Sequence, residues 1–543
     1  MEIAGRVDAL MDGLKADLER LAAIPSVAFP GFPAQPVEQA HDLLVALLRD
    51  VGVAHVDRIE LPDTAPVIYA EIPPPHPDAP IVLLYSHYDV QPPGDESLWL
   101  SPPFEPTPVE GGLRARGIAD DKANVIAHLG LLRVYGGRPP VGVKVVFEGQ
   151  EEYGSPFDGY PPTDPERFAC DAMVIADLGN LRPGTPTLTT GLRGAAEVVV
   201  EVRTLAEPRH SGEFGGAAPD ALLVLVNALA TLHDVHGDVA VEGLRREDWA
   251  GAGYTEEEFR ELAGIVDGVP LIGSGSLGER LWSGPAITVV GLDAPGVEHA
   301  ASAVVPYARA KLNLRFHPRQ DAAEAQGLLV EHLRALRPFG VPLTVTPGDT
   351  GPGYEARTDG PAYRAAREAL AQAWGTDASY VATGGSIPLV NGLAQAVPEA
   401  EVLLFGAQDG RCNLHAPNER VLFSELRNAV VAMCGFVERY AADFQDEGYV
   451  ASSQGEGYAA DSQPAPGGSA DAQAAREMAG DPEAGRGHEA SDAARGAAGD
   501  PEAGRGHEAS GGARETAGDP EASDAAGEAT GTGPAGAGEA GGG

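Results

Sequence analysis

The apolar positions before residue 180 form two kinds of run. Short runs with no polar face are typical of buried strands, and longer runs with a period near 3.6 residues are typical of helices. The short runs lie at 67–72, 81–85, 141–147 and 171–176, and the helical runs lie at 1–24, at 39–51 and after residue 122. The run at 81–85, IVLLY, predicts a strand buried on both faces. This order predicts an α/β domain with a central mixed sheet flanked by helices.

The pattern changes near residue 188. The run GLRGAAEVVVEVRTL alternates apolar and polar residues, which predicts a strand with one face in water. A similar strand is predicted at 308–316, and helices are predicted at 221–235 and 323–337. We therefore expect a smaller two-layer α/β domain at 188–350, inserted into a first domain formed by 1–187 and 351–449.

A third pattern occupies the carboxyl-terminal part of the chain. The segment AGDPEAGRGHEAS occurs at 479–491 and again at 498–510, in a stretch of Gly, Ala, Pro and acidic residues. Such a composition buries too little apolar surface to offset the entropy lost on ordering. Residues 450–543 are therefore predicted to be a disordered acidic repeat tail.

Composition excludes several classes of partner. The formal net charge of −42 argues against nucleic acid and against an anionic membrane surface. No apolar run approaches the ~18 residues of a membrane-spanning helix, and the amino-terminal helix carries charges throughout, unlike a signal peptide. The three cysteines are too few and too scattered for a disulfide framework or a thiolate zinc site. The expected location is the cytoplasm.

Candidate metal ligands follow the predicted strands and turns. They are His87, Asp120, Glu151, Glu152, Asp177 and His415. Because the carboxyl ends of strands in an open α/β sheet meet at one edge, we expect these side chains to converge. Two imidazoles and several carboxylates exceed the needs of one tetrahedral zinc and suit two ions with a shared carboxylate.

Two neighbouring pairs refine this prediction. Side chains alternate along a strand, so His87 and Asp89 point the same way, and one group can ligate while the other orients the ring. Glu151 and Glu152 cannot easily bind the same ion, so one can ligate while the other acts as a general base. Taken singly, each candidate also has an ordinary structural explanation as a helix cap, a turn residue or a surface side chain.

Eight short blocks carry a family resemblance. They are SHYDV, RGIADDK, EGQEEYGS, VIADLGN, RHSGEFGG, NLRFHP, TGGSIP and NLHAPNE. In this order they resemble the dinuclear zinc aminopeptidase/carboxypeptidase and deacylase superfamily, the aminoacylase, glutamate carboxypeptidase and succinyl-diaminopimelate desuccinylase type. Within it they most resemble the carnosinase-like cytosolic nonspecific dipeptidases. The resemblance covers roughly residues 10–445.

The resemblance implies a role for each candidate. The implied metal ligands are His87, Asp120, Glu152, Asp177 and His415, with Asp120 bridging two divalent ions per subunit. Zinc is the implied metal, and manganese and cobalt suit the same donors. Asp89 would hold the imidazole of His87, and Glu151 would be the general base.

The resemblance also implies substrate contacts and a homodimer. His210, catalytic and substrate-binding, would reach from the inserted lid and dimerisation domain into the partner subunit's site. Arg315, Gly385 and Ser386 would hold the substrate's carboxylate, a task that suits a guanidinium because it can donate two parallel hydrogen bonds. Arg315 has an equal alternative as a strand residue that extends to water.

These observations predict a metal-dependent hydrolase of dipeptides or similar short peptides. The nearest alternative is an N-acyl-amino-acid deacylase or a carbamoylase of the same architecture. A catalytically inactive binding protein of this fold is a second alternative, against which the complete set of ligands argues. In a third alternative, the acidic repeat tail is the functional part of the protein and acts as an interaction segment, to which the enzyme is only attached.

Overall fold

The computed structural model describes residues 2–385 and 387–454. Its strands are β1 (His55–Ile59), β2 (Val67–Ile72), β3 (Ile81–His87), β4 (Thr107–Val109), β5 (Gly112–Arg114), β6 (Gly142–Glu148), β7 (Ala172–Ile175), β8 (Gly179–Asn180), β9 (Thr187–Leu192), β10 (Gly194–Arg203), β11 (Arg209–His210), β12 (Ala286–Asp293), β13 (Ala303–Val304), β14 (Tyr307–Phe316), β15 (Thr344–Gly351), β16 (Tyr354–Glu355), β17 (Ser379–Thr383), β18 (Glu401–Leu404), β19 (Gln408–Asp409) and β20 (Arg420–Leu422). Its α-helices are α1 (Ile3–Asp8), α2 (Met11–Ala22), α3 (Gln35–Asp50), α4 (Ala123–Val134), α5 (Pro165–Phe168), α6 (Ser211–Phe214), α7 (Ala221–Leu229), α8 (Glu256–Leu262), α9 (Ala322–Ala335), α10 (Pro361–Trp374), α11 (Pro388–Ala396) and α12 (Phe423–Gln454).

The larger sheet has the order β1-β2-β6-β3-β7-β18-β9-β16, with β17 paired to β9. Strand β3 runs parallel to both β6 and β7, whereas β1, β2 and β6 pair antiparallel. The sheet is therefore mixed, and the predicted fold class is confirmed.

Strand β3 lies in the middle of this sheet and is covered on both sides. Val82 and Leu84 belong to one apolar core, and Leu83 and Tyr85 belong to another on the opposite face. Burying each such side chain stabilises the fold by about 1.5–3 kcal/mol. The apolar run IVLLY reflects this double burial, as the sequence predicts.

Helix α4 packs very closely against helices α2 and α12. A Cβ atom on Gly130 would lie 2.9 Å from a methyl group of Val430 in α12 and 3.2 Å from Leu14 in α2. The glycine lets three helices approach closely, which offsets its helix-propensity cost of roughly 1 kcal/mol. This packing holds α4 in place, and Asp120 lies three residues before its first residue, Ala123.

The smaller sheet is antiparallel, with the order β12-β14-β10-β15. Alternate residues of β10 are buried, and Val198 and Val200 pack with residues of α7 and α9 such as Leu225 and Leu329. The chain leaves the larger sheet at Arg193, between β9 and β10, and returns between β15 and β16. The division into domains at 1–187, 188–350 and 351–449 stays a prediction.

Two local predictions are wrong. Residues 1–24 form two helices, α1 and α2, because the N–H of Leu10 bonds to the carbonyl of Val7 and tightens the turn between them. The segment that follows β3 is rich in proline and glycine, which predicts a loop throughout, but it contains the hairpin β4–β5. This hairpin pairs with β20, some 300 residues away, so its partner strand could not be found from local pattern.

The last helix, α12, continues to Gln454, whereas the tail is predicted from residue 450. Most of the predicted tail, 455–543, lies outside the described residues. In the part of the chain that the structure describes, none of the helices has the length and apolar content needed to span a bilayer.

Candidate active site

His87 ends strand β3 and is fully buried. Its Nε2 atom lies 3.1 Å from Oδ1 of Asp120 and 3.6 Å from Oδ1 of Asp177. Asp177 follows β7, the neighbour of β3, so two parallel strands deliver their side chains to one point. Burial alone would lower the pKa of His87, but the hydrogen bonds to Asp120 and Asp177 raise it well above its usual value.

Asp120 lies between two imidazoles. Its Oδ1 faces His87, and its Oδ2 lies 2.9 Å from Nε2 of His415. Burial would raise the pKa of this carboxyl group, but the hydrogen bonds from His415 and His87 outweigh burial and lower it. Asp120 therefore stays ionised, with each oxygen directed at a different side of the site, which is the arrangement of a bridging carboxylate.

His415 forms the other side of the site. Its Nε2 atom is 3.2 Å from Oε2 of Glu152, which also accepts a hydrogen bond of 2.8 Å from Nε2 of Gln91. The hydrogen bonds to Asp120 and Glu152 raise the pKa of His415 to about 10. The backbone of His415 is left-handed, with φ of 58°, a conformation that costs a non-glycine residue about 1–3 kcal/mol and is common at functional sites.

Asp89 connects the ring of His87 with the loop that carries the two glutamates. Its Oδ1 lies 3.4 Å from Nδ1 of His87 and accepts a hydrogen bond of 2.9 Å from the N–H of Glu151. Its Oδ2 accepts a bond of 3.2 Å from the N–H of Glu152. The sequence predicts only the contact with the imidazole; the structure adds the support of the loop.

Glu151 lies beside the metal-ligand candidates without pairing to a cation among the described residues. One carboxylate oxygen of Glu151 and of Asp177 and a ring nitrogen of His87 all lie within 4.8 Å of one another. Burial, and then the charge of Asp177, raise the pKa of Glu151 well above its usual value. Burial likewise raises the pKa of Asp177 to about 6. A carboxyl group with a raised pKa suits proton transfer near neutral pH.

Among the described residues, the carboxyl groups of this cluster outnumber their basic partners. Within residues 2–385 and 387–454, no Lys or Arg pairs with Asp89, Asp120, Glu151, Glu152 or Asp177, and the two histidines are their only basic partners. Ligand atoms of His87, Asp120 and Glu152 also lie within 4.8 Å of one another. Buried carboxylates and imidazoles in such a group fit divalent metal ions of the zinc, manganese or cobalt type.

Glu419 supports Asp120 through a hydrogen bond to its backbone, a role that the sequence pattern does not predict. Its buried carboxylate accepts hydrogen bonds from Arg116, at 2.7 Å, and from three backbone N–H groups, including that of Asp120 at 3.1 Å. Glu419 is the last residue of the block NLHAPNE, which also contains the candidate ligand His415. An acidic residue at the end of a block that contains a candidate ligand points to a supporting role. The contact itself joins segments about 300 residues apart, so the block does not indicate the partner.

The structure does not join the remaining predicted residues to the cluster. His210 is exposed, and its Nδ1 accepts a hydrogen bond of 3.1 Å from the N–H of Gly212. Arg315 is half-buried in β14, and its Nε donates to Oδ1 of Asn313 at 3.2 Å. Gly385 donates its N–H to Oγ1 of Thr383 at 3.3 Å, and Ser386 lies outside the described residues.

A cavity of about 180 Å³ adjoins the cluster. It is lined by residues next to the candidate ligands, Leu178 after Asp177 and Leu414 before His415. Gln408, also in the lining, approaches Oδ1 of Asp177 at 3.5 Å. The lining also includes Tyr254, Trp282 and Thr383. The site is therefore bordered by a small recess with aromatic walls.

The fold resembles solved dipeptidase structures. The structure of the dipeptidase Dug1p from Saccharomyces cerevisiae matches with a TM-score of 0.69 and 22% identity, covering 81% of this chain and 98% of that one. Human carnosine dipeptidase 1 matches with a TM-score of 0.67 and 23% identity, with the same coverage of 81% and 98%. At this level of identity these likenesses concern the fold, which is that of the predicted class.

Sequence comparison gives the family. A cysteinylglycine-S-conjugate dipeptidase of Corynebacterium striatum is 38% identical over 412 residues, which are 74% of this chain and 90% of the relative. A Beta-Ala-His dipeptidase of Rattus norvegicus is 28% identical over 458 residues, covering 76% and 90%. The model of peptidase family M20/M25/M40 matches residues 83–439. The resemblance found in the sequence blocks is thereby confirmed: the chain is a metallopeptidase that belongs to peptidase family M20/M25/M40.

Proposed function

We propose that the protein hydrolyses the peptide bond of dipeptides or similar short peptides with the help of two divalent metal ions. The observation that carries the proposal is the position of Asp120 between His87 and His415, with Asp177 beside the first and Glu152 beside the second. The relatives named above are dipeptidases, so a deacylase or carbamoylase activity is not favoured.

The donor set divides into two groups that share one carboxylate. His87, Asp120 and Asp177 would hold one ion, and Asp120, Glu152 and His415 would hold the other. Zinc is proposed as the native metal, because imidazole and carboxylate are ligands it favours. When bound, such ions lower the pKa of a shared water from ~15.7 towards neutrality and polarise the scissile carbonyl.

Glu151 is proposed as the general base. Its carboxylate would take a proton from the attacking water and later pass it to the leaving amine. Asp89 would keep Glu151 and Glu152 in position through the two backbone hydrogen bonds described above. Arg315, Gly385 and Ser386 are proposed to hold the carboxylate of the substrate.

The functional unit is proposed to be a homodimer in the cytoplasm. His210 would stabilise the oxyanion in the partner subunit's site, which accords with its exposure. The location is supported by the three cysteines, Cys170, Cys412 and Cys434, which are all free thiols.

The proposed function is tested by measuring metal content and substrate range together. We expect about two divalent ions per chain and hydrolysis of a panel of Xaa-Xaa dipeptides, with little turnover of N-acetyl, N-succinyl and N-carbamoyl amino acids. Preference for the acyl or carbamoyl compounds would move the activity to the deacylase alternative. A metal-loaded protein that cleaves no compound of either class would overturn the proposal.

Replacing Asp89 with Asn is expected to lower kcat/KM by about 10- to 100-fold, the usual effect of losing a residue that orients metal ligands. An amide has one acceptor oxygen, so the N–H of Glu151 or of Glu152 loses its partner. Steady-state kinetics and metal titration would measure the change.

Asp220→Asn is the matched control for this variant. Asp220 also accepts hydrogen bonds from two backbone N–H groups, those of Leu223 at 3.0 Å and Val305 at 3.2 Å, but it caps helix α7. Its replacement is expected to leave kcat/KM unchanged. Equal losses in the two variants would contradict a specific role for Asp89.

Mixing subunits tests the proposed action of His210 across the dimer interface. A His210→Ala subunit and a Glu151→Gln subunit are each expected to be nearly inactive. Their mixed dimer contains one site with both groups intact, so its activity is expected to rise well above that of either parent. Verified mixed dimers without such recovery would contradict the trans arrangement.

A further inference from the structure

Two arginines lie together where the chain passes from one sheet to the other. Arg193 is the residue between β9 and β10, and Arg315 of β14 pairs with Ala195 of β10. Arg193 is only 7% exposed, and Arg315 is half-buried. Burial, and then the charge of Arg315, lower the pKa of Arg193 to about 10. The two guanidinium groups are thus close enough to repel each other. Arginine side chains stay protonated in proteins, so both carry a positive charge.

The described part of the chain supplies few partners for these two guanidinium groups. Among the described residues, neither arginine forms an ion pair, and Nε of Arg193 is buried without a hydrogen-bond partner. The side chain of Arg193 makes one long bond, of 3.4 Å, to the carbonyl of Gly284. A buried charge is costly unless it is paired and hydrogen-bonded, and a guanidinium offers five donors. Two guanidinium groups whose donors are largely free of protein partners are suited to binding an anion such as a carboxylate.

The turn that follows β17 is built to approach Arg193. The N–H of Arg193 donates to the carbonyl of Thr383 at 3.2 Å. A Cβ atom on Gly384 would lie 2.9 Å from Nη2 of Arg193, so a side chain at this position would crowd the guanidinium. Glycine at 384 therefore keeps the space beside the cation open, next to Gly385.

The same turn borders the cavity beside the metal-ligand cluster. Thr383 lines that cavity together with Leu178 and Leu414, the neighbours of Asp177 and His415. A ligand that reaches from the cluster into this cavity would therefore lie beside the turn that approaches Arg193. In a dipeptide, the carboxylate is separated from the scissile carbonyl by a single residue.

We propose that Arg193 binds the C-terminal carboxylate of the peptide substrate, together with Arg315. The inference rests on the proposed function and adds to it a substrate-binding residue that the sequence motifs did not identify. Two guanidinium groups beside one carboxylate make a free carboxyl terminus a requirement, because a neutral amide would leave both cations unpaired.

The test compares each dipeptide with its C-terminal amide, using the full metal-loaded chain. For wild type, kcat/KM is expected to favour the free acid strongly. In Arg193→Gln, KM for the free acid is expected to rise about 10- to 100-fold with a smaller change in kcat, the size of effect expected for a hydrogen bond to a charged group. The amide should be affected little, so the preference for the free acid collapses.

Two further variants keep the result interpretable. Arg193→Lys retains the charge but not the fork of donors, and its KM for the free acid is expected to lie between those of wild type and Arg193→Gln. Should Arg193→Gln fail to fold, the Lys variant decides on the same comparison. Arg309→Gln is the control, because Arg309 is an exposed arginine of the same strand β14 that pairs with Asp293.

The outcomes separate this inference from the proposed function. If wild type cleaves none of the dipeptides, the proposed function fails. If wild type cleaves dipeptides but the Arg193 variants lose activity equally on acid and amide, Arg193 has only a structural role and the inference is overturned. An unchanged KM in a folded Arg193 variant would overturn it as well.

Discussion

Replacing Glu151 with Gln is expected to lower kcat for dipeptide hydrolysis by about 10²–10⁴-fold while the metal content stays that of wild type. The amide keeps the size of the side chain but cannot accept the proton of the attacking water. Its backbone N–H still donates to Asp89, so the loop keeps its position. Steady-state kinetics and elemental analysis of the same preparations would measure both quantities.

Glu152→Gln is the matched comparison, because it changes the adjacent glutamate by the same atoms. Glu152 faces His415 and Gln91, so its replacement is expected to weaken metal binding, and added metal should restore part of the activity. Normal turnover in Glu151→Gln would remove Glu151 from the role of base. Metal loss in that variant, equal to the loss in Glu152→Gln, would make it a ligand instead.

Replacing Asp120 with Asn is expected to reduce both metal content and activity, the latter by about 10³-fold or more, since the stabilisation supplied by metal ions amounts to several kcal/mol. Asp120 is the residue whose two oxygens face two different imidazoles, so its loss affects both proposed ion sites at once. Elemental analysis and kinetics with and without excess zinc would measure the effect.

Asp121→Asn is the control for this variant. Asp121 is the next residue and equally buried, but its oxygens accept hydrogen bonds from the N–H of His87 and from Asn124. Its replacement is expected to keep most of the bound metal. Full metal occupancy in Asp120→Asn would contradict the bridging role, and the proposal of two ions with a shared carboxylate would then fail.

Local pattern was sufficient for the central part of the fold. Strand β2 has the predicted bounds, and β3 extends the prediction by two residues because the polar pair Ser86 and His87 continues the pairing with β6. Double burial makes such strands apolar throughout, which is why they are recognisable. The hairpin β4–β5 was missed because it is stabilised by β20, a partner that no local pattern indicates.

The convergence of the candidate ligands could be predicted because it follows from topology. Parallel strands end at the same edge, so side chains after β3 and β7 had to meet, and the structure brings His87 and Asp177 to 3.6 Å. Contacts that support the ligands could not be predicted in this way. Glu419 accepts hydrogen bonds from Arg116 and from the backbone of Asp120, about 300 residues away, and nothing in its neighbouring residues specifies these partners.

The two histidines of the site differ in exposure and in the kind of element that carries them. His87 has no exposed surface and belongs to a strand enclosed by two cores, whereas the side chain of His415 is 56% exposed on a loop with left-handed backbone. Ligand exchange requires a donor to move away, and a side chain in a surface loop moves far more readily than one in a packed strand. If two ions occupy the proposed sites, we expect the ion on the His415 side to exchange faster than the ion on the His87 side.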